Sequence, residues 1–438
     1  MSESSQLLRE DITRLLDTVG LASLIVVSSA AVRYSEKPLA LPHLSQVLQK
    51  KGLDYGLLCS FSSLEQAVSS LETMVHGPLP VSLHIPGIRH IEPSTMNHVR
   101  FKGGSYSTTF ASYHDNHWRV IKQCKVYNHP DKDLRLKLEM ESIAGLPVAA
   151  HALFPHILHK ELSPDLLRYE IEYVPYHNFA EIVSSGEYDD SELSRCLRGM
   201  YDKLFEVLYK PNPSIHNSVQ SLDYVAIIRR RLAEVSQLLS ADNFLHRLLA
   251  ADELAYNGSR YPGVSKTLQL ADAFLASKTT PNTYNHGDLI LQDILLDPAS
   301  GDFRLVDSNG LSTGYIHDFA KTLLCLETKY DLLYDGKFTL DLDLTHAKAA
   351  KAELNYTDQG HEQRLDKMNE YFWDYLETHE AEFRATLPEW HETLNVLCGL
   401  QNIAIVMFHT LHHQKHERAA AFLLNGIKLI NDTLSDKS

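Results

Sequence analysis

The sequence lacks every cysteine pattern that would define its chemistry at once. Its five cysteines (Cys59, Cys124, Cys196, Cys325 and Cys398) are widely spread and include no CxxC pair. That argues against a disulfide scaffold and a zinc ribbon alike, and fits a reducing cytoplasm. No basic start leads into an apolar stretch and a small-residue cleavage site, so no secretory signal is expected. Long apolar runs are also missing. The longest strongly apolar run, about Leu24–Val27, is far short of the ~20 residues that span a bilayer, and no transmembrane segment is expected. Positive charge is in deficit, with 41 Lys and Arg against 56 Asp and Glu and a net charge of −15. Such a field repels phosphate backbones, so a nucleic-acid partner is not expected. Internal repeats and low-complexity tracts are absent. The first 95 or so residues contain no HxGH, Walker or DxDxT motif.

What is present is an ordinary globular composition, 44% hydrophobic and 22% charged over 438 residues, which suggests two or three domains. Residues 1–95 read as a small α/β module, with helical patterns at 6–19, 42–51 and 63–75 and strands at 21–28 and 55–61. Residues 96–176 read as a β-rich lobe, with strands at 98–101, 108–113, 118–124 and 166–174 and one helix at 132–146. From 177 to 438 the pattern is mostly helical, interrupted by one β-rich island at 282–309. The fold class expected is therefore α+β, a bilobal protein behind a separate N-terminal module.

The island carries the chemistry. Asp297-Pro298-Ala-Ser-Gly301 signals a turn, and 294–296 and 303–306 flank it as short apolar strands. Folding that hairpin about its centre sets Asp293 roughly opposite Asp307, with Asp288 in the loop just before. Three carboxylates are then expected around one small volume, where their mutual repulsion asks for a cation. A hard ion with oxygen ligands, most simply Mg²⁺, suits that set, and its preference for phosphate oxygens suggests a nucleotide.

The stretch His286-Gly-Asp-Leu-Ile-Leu-Gln-Asp-Ile-Leu resembles the HGDLxxxNIL catalytic loop of the aminoglycoside phosphotransferase and choline kinase superfamily, which has a protein-kinase-like fold. Val306-Asp-Ser-Asn-Gly310 resembles its metal-binding strand end, and His317-Asp-Phe-Ala-Lys-Thr-Leu323 its YDLAKL helix start. The resemblance implies Asp288 as catalytic base, Asp307 and Asp293 as Mg²⁺ ligands, ATP as co-substrate, and His286 and Asp318 as structural supports of the loop. The family has Asn where this chain has Asp293. It further implies nucleotide binding by a glycine turn (Gly103, Gly104, Ser105, Ser107), by Lys122 held by Glu139 of the next helix, and by the hinge strand with Glu172 and Tyr173. Glu141 is expected on another, solvated face.

Three further stretches, Tyr224–Leu232, Leu411–Arg418 with Phe422, and Gly314…Asp318…Lys321…Tyr330-Asp331, are similar to phosphotransferase-like proteins encoded with bacterial capsule or surface-polysaccharide biosynthesis. The resemblance runs from about 97 to 430. It implies a cytoplasmic small-molecule kinase whose acceptor is a sugar or amino alcohol. The alternatives are a nucleotide-binding pseudokinase acting as a regulatory or assembly partner, and a kinase fold that modifies a protein. His409, His412, His413 and His416 share a helical spacing that could face a metal, although a polar pocket wall is the simpler reading. Arg230 and Arg231 are candidates to clamp an anionic substrate group, against the simpler reading of helix surface charge. Ser28–Pro38 resembles the start of sugar nucleotidyltransferases but has no glycine, so a docking or vestigial module is expected there. The sequence does not set the oligomeric state.

Overall fold

The computed structural model describes residues 108–114, 117–125, 130–162, 166–211, 224–280, 282–309, 314–346, 348–411 and 414–435, together with short strands before residue 101. It divides into two units, Met1–Glu141 with His151–His177, and Ser142–Ala150 with Asn178–Ser438.

The first unit is built on one sheet whose every pairing is antiparallel. Its strand order is Ile157–Leu162, Leu166–Glu172, His117–Lys125, Thr108–His114, His98–Arg100, Leu57–Cys59, Ile25–Val27, Val32–Tyr34 and Lys37–Leu39. The strands expected near residues 21–28 and 55–61 are represented by Ile25–Val27 and Leu57–Cys59, which pair with each other. The helices expected at 6–19, 42–51 and 63–75 lie outside the described residues.

Alternation along two neighbouring strands decides what faces the helix Pro130–Gly145. Cys124 from one strand and Leu167, Tyr169 and Ile171 from the other pack with Leu136 and Met140 of the helix. Leu136 and Met140 are one helical turn apart, so both reach the same sheet face. The register pairs Tyr169 with Lys122, setting these two side by side. A slip of one residue would turn Lys122 to the opposite face.

The second unit is mainly helical. Its centre is an aromatic cluster in which Tyr201 and Phe205 of the helix Asp190–Val207, with Tyr209 just beyond its end, meet Tyr315, Phe319, Phe372 and Phe383. The helices Trp390–Leu411 and His416–Ser435 pack closely through Gly399 and Gly426. Trp390–Leu411 is long and apolar enough to cross a membrane, which a search for unbroken apolar runs does not reveal. In this fold it is a core helix, with Leu394, Leu400, Ile403 and Val406 fully buried.

One element departs from the expectation of a single β-island. Ser259–Pro262, Glu253–Tyr256, Ala349–Tyr356 and Phe338–Asp343 form a four-stranded sheet in that order. Asn257 and Gly258, both at positive φ (46° and 84°), make the two-residue turn of its first hairpin. That is the backbone such turns demand.

Candidate active site

The acidic hairpin folds as its turn residues dictate. Ile294 pairs with Leu305 and Leu296 with Phe303. At the tip, the Gly301 N–H donates to the Asp297 carbonyl at 2.8 Å, and Ser300 Oγ donates to Asp297 Oδ2 at 2.6 Å. At the open end, the Val306 N–H donates to the Asp293 carbonyl at 2.9 Å, which sets Asp293 against the strand end that leads into Asp307. Asp307 takes a left-handed backbone, φ 62°, tolerated by Asp better than by most residues. An outlier of this kind persists only where its surroundings over-determine it.

Those surroundings are a set of ties between residues 285–293 and 306–309. His286 Nε2 donates to the Val306 carbonyl at 2.8 Å, so its Nδ1 is the acceptor for the Asp288 N–H at 3.4 Å. The imidazole is thus the neutral Nε2–H tautomer. Ser308 Oγ donates to the His286 carbonyl at 2.9 Å, and Asn309 Nδ2 donates to the Gly287 carbonyl at 2.5 Å.

A single helix face holds the same loop from behind. Asp318, Lys321, Thr322 and Cys325 follow one another at i, i+3, i+4 and i+7 along Tyr315–Leu326, so they share one side of the helix. Asp318 accepts from the His286 and Gly287 N–H groups, each at 2.7 Å, and from Asn285 Nδ2 at 3.3 Å. Lys321 Nζ is 2.8 Å from Asp288 Oδ1. Thr322 Oγ1 donates to the Leu289 carbonyl at 3.1 Å, and the Leu291 N–H lies 3.5 Å from Cys325 Sγ. Burial pushes the Asp318 carboxyl up to about 7, against the downward pull of its backbone donors. One further anchor lies beyond this helix: Gln292 Nε2 donates to Asp331 Oδ1 at 2.7 Å. Asp331 Oδ2 is buried with no partner, and desolvation raises its carboxyl to about 7.

Asp288 therefore faces a cation of the chain's own. Among the described residues there is no group of three or more His, Cys, Asp or Glu side chains set to hold a metal ion. This corrects the expectation of three carboxylates around one ion. Lys321 neutralises Asp288 and removes the repulsion that the spacing of the acids assigned to a metal. Asp293 and Asp307 remain at the hairpin's open end as two oxygen donors. That set fits a hard ion that keeps waters and takes phosphate oxygens for its other ligands, rather than a closed protein cage.

In the first unit, Lys122 Nζ lies 2.7 Å from Glu139 Oε1, with side-chain exposures of 5% and 12%. Tyr169, to which the sequence pattern gives no role, donates its hydroxyl to the same oxygen at 2.5 Å. Burial raises the Tyr169 phenol well above its usual range, and the Glu139 charge adds to the effect. A buried ion pair is weak as a source of stability, because desolvation offsets most of its attraction. Glu141 is exposed and pairs loosely with Lys137 at 3.6 Å. Glu172 ends its strand with its N–H on the His156 carbonyl at 2.9 Å. The Tyr173 ring lies 6.4 Å from that of Trp118, and burial raises its phenol. Gly103, Gly104, Ser105 and Ser107 lie outside the described residues.

The four histidines do not share a helix. Trp390–Leu411 ends before His412, and the next helix starts at His416. His409 is buried and stacks on Phe422 at 5.0 Å, while His416 Nδ1 meets Asn243 Nδ2 at 3.1 Å. His412 and His413 lie outside the described residues. Arg230 is exposed, 3.9 Å from Glu234.

No family model matches the chain, and no curated protein matches it. Solved structures to which it is similar include a thermostable mutant of the aminoglycoside phosphotransferase APH(4)-Ia in apo form. The two share 11% identity over 76% of this chain and 94% of that one, with a TM-score of 0.46. APH(4)-Ia itself gives 12% identity, 76% and 93% coverage and a TM-score of 0.43. The spectinomycin phosphotransferase APH(9)-Ia, in complex with ADP and spectinomycin, gives 10%, 80% and 94%, and 0.38.

Proposed function

We propose that the chain is an ATP- and Mg²⁺-dependent phosphotransferase acting on the hydroxyl of a small molecule, a sugar or amino alcohol of surface-polysaccharide biosynthesis. The observation that carries this reading is the loop 286–293, held residue by residue by one helix face, with Asp288 at its start and Asp293 and Asp307 at the hairpin end. Positioning of this kind is most of what phosphoryl transfer asks of a protein.

In the proposed reaction the acceptor oxygen forms a bond to the γ-phosphorus of ATP, the bond from that phosphorus to the bridging oxygen breaks, and ADP leaves. Asp288 orients the acceptor hydroxyl and takes its proton, which then passes to water. Asp293 and Asp307 would hold the metal, which when bound neutralises charge on the phosphate oxygens. Lys122, set by Glu139 and Tyr169, is assigned to nucleotide phosphate. The free, buried Cys196, Cys325 and Cys398 support a reducing compartment, and we place the protein in the cytoplasm.

A second reading is a nucleotide-binding pseudokinase with a regulatory role. Two observations favour it, the engagement of Asp288 by Lys321 and the acid at 293 where the resembled loop has Asn. A radiolabelled-ATP screen against pooled sugars and amino alcohols separates the two. The enzyme reading expects label in a small molecule and a loss of about 10²- to 10⁴-fold in Asp288→Asn, with nucleotide binding kept. Asp307→Ala should instead impair metal-dependent nucleotide binding. Binding of ATP·Mg²⁺ with no transfer to any pool would establish the pseudokinase.

A further inference from the structure

The helix face that holds the candidate loop contains a threonine that bonds outside its own helix. Thr393, Thr410 and Thr433 each donate Oγ1 to the carbonyl four residues earlier, at 2.8, 2.7 and 2.7 Å. That back-bond is common for a threonine on a helix, and it fixes one of the two rotamers open to the side chain. Thr322, on Tyr315–Leu326, reaches away instead, and its Oγ1 donates to the Leu289 carbonyl at 3.1 Å. Leu289 follows Asp288 directly and is fully buried, where water does not replace the threonine.

Tyr201, on the helix Asp190–Val207, accounts for the outward choice. Its hydroxyl donates to Thr322 Oγ1 at 2.5 Å. A threonine hydroxyl has one proton and two acceptor sites. With Tyr201 donating to the oxygen, the Thr322 proton is the one that serves Leu289. The tyrosine does not follow a turned threonine, because its fully buried ring lies against Phe319, Phe372 and Tyr375 at 5.5, 5.3 and 5.5 Å between centroids. Burial also raises its phenol well above the usual range, so it stays protonated and remains a donor. Turning Thr322 to the back-bonded rotamer would break this bond and leave a buried phenol without its acceptor, which costs more than the bond contributes.

We propose that Tyr201 is a positioning residue: its hydroxyl selects the Thr322 rotamer that holds the Leu289 carbonyl, and through it the placement of Asp288. This rests on the phosphotransferase reading for the role of Asp288, but the hold on the loop is testable without turnover. The ring belongs to the core, and only its oxygen acts on the loop.

The Leu289 carbonyl itself is the readout. Leu289-Ile290 is one of three Leu-Ile pairs in the chain, so carbonyl-¹³C leucine with ¹⁵N isoleucine isolates its signal by NMR on the full chain. Thr322→Val removes the donor and should move that signal upfield. Tyr201→Phe keeps the ring and Thr322, yet should move it in the same direction, and the double variant should match Thr322→Val alone because the two hydroxyls act in series. The signals of Leu24-Ile25 and Leu429-Ile430 should stay in place, which separates a lost tie from lost folding. In turnover, Tyr201→Phe should lower kcat about tenfold with KM for ATP unchanged, since a displaced base affects the transfer step. A Leu289 signal that stays at its wild-type position in Tyr201→Phe, movement of all three signals together, or a change confined to KM would overturn the proposal. The expected shifts in a protein that transfers phosphate to no acceptor would leave the tie standing and count against the enzyme reading alone.

Discussion

At the residue scale, Asp331 makes its own position measurable through pH. Its carboxyl is raised to about 7 from an ordinary 3.8, with desolvation the main cause and Gln292 the single side-chain donor. A folded pKa above the unfolded one means that the native state holds the proton more tightly. Stability is then complete below about pH 4 and falls as pH rises through about 7. Asp331→Asn keeps an oxygen for Gln292 and removes the charge. The variant should melt above wild type by a smaller margin at pH 5 than at pH 8. The gain should be a few kcal/mol at most, since a tenfold difference in proton affinity is worth about 1.4 kcal/mol. Melting curves at the two pH values check this, and parallel curves at both would show that the carboxyl does not titrate in the fold.

Several of the candidate residues were legible because their chemistry is local in sequence. The Asp-Pro-Ala-Ser-Gly tip marks the hairpin, and the family resemblance pairs Lys122 with Glu139. Tyr169 and Lys321 were not legible as site residues. Tyr169 reaches Glu139 only because sheet register pairs it with Lys122, and Lys321 reaches Asp288 only after the helix has packed on the loop. A count of acids along the chain likewise does not show the lysine that packing brings to Asp288.

At the scale of elements, two helical glycines should respond to the same substitution in opposite directions. A Cβ on Gly426 would sit 2.6 Å from the Gly399 carbonyl oxygen and 2.7 Å from Ile403 Cγ1. Overpacking of that kind costs ~1–3 kcal/mol, which outweighs the ~1 kcal/mol of helix propensity that alanine contributes. Gly199 lies within Asp190–Val207, where an added Cβ would meet nothing within 4 Å. Gly199→Ala should raise the melting temperature and Gly426→Ala should lower it. A rise in both would mean that the helix crossing is looser than its geometry. The four-stranded sheet was not foreseen, although Asn257-Gly258 announced its first turn. Its strand Ala349–Tyr356 buries Ala350, Ala352 and Leu354, a pattern with low strand propensity that reads as helix until its neighbours are known.

At the scale of the whole molecule, the net charge of −15 opposes the approach of an anionic nucleotide. If ATP is the co-substrate, kcat/KM for ATP should rise as ionic strength increases from about 0.02 to about 0.15 M, where the screening length shortens to about 8 Å. A fall over that range would indicate that local cations dominate the encounter. The apolar core and the alternating strands could be read from composition and periodicity alone. The tie of the loop to Asp318, over thirty residues later, is legible only through the family resemblance.

The face formed by Asp318, Lys321, Thr322 and Cys325 gives the helix a phase as well as a position. Each residue added to or removed from a helix turns everything beyond it by ~100°. A single deletion between Lys321 and Cys325 would swing the thiol off its backbone amide while leaving composition and apolar content almost unchanged. The opposite holds at the exposed hairpin tip, where Ala299 and Ser300 bear no such phase. Length polymorphism in this chain should therefore be tolerated at the tip and forbidden along one short helix.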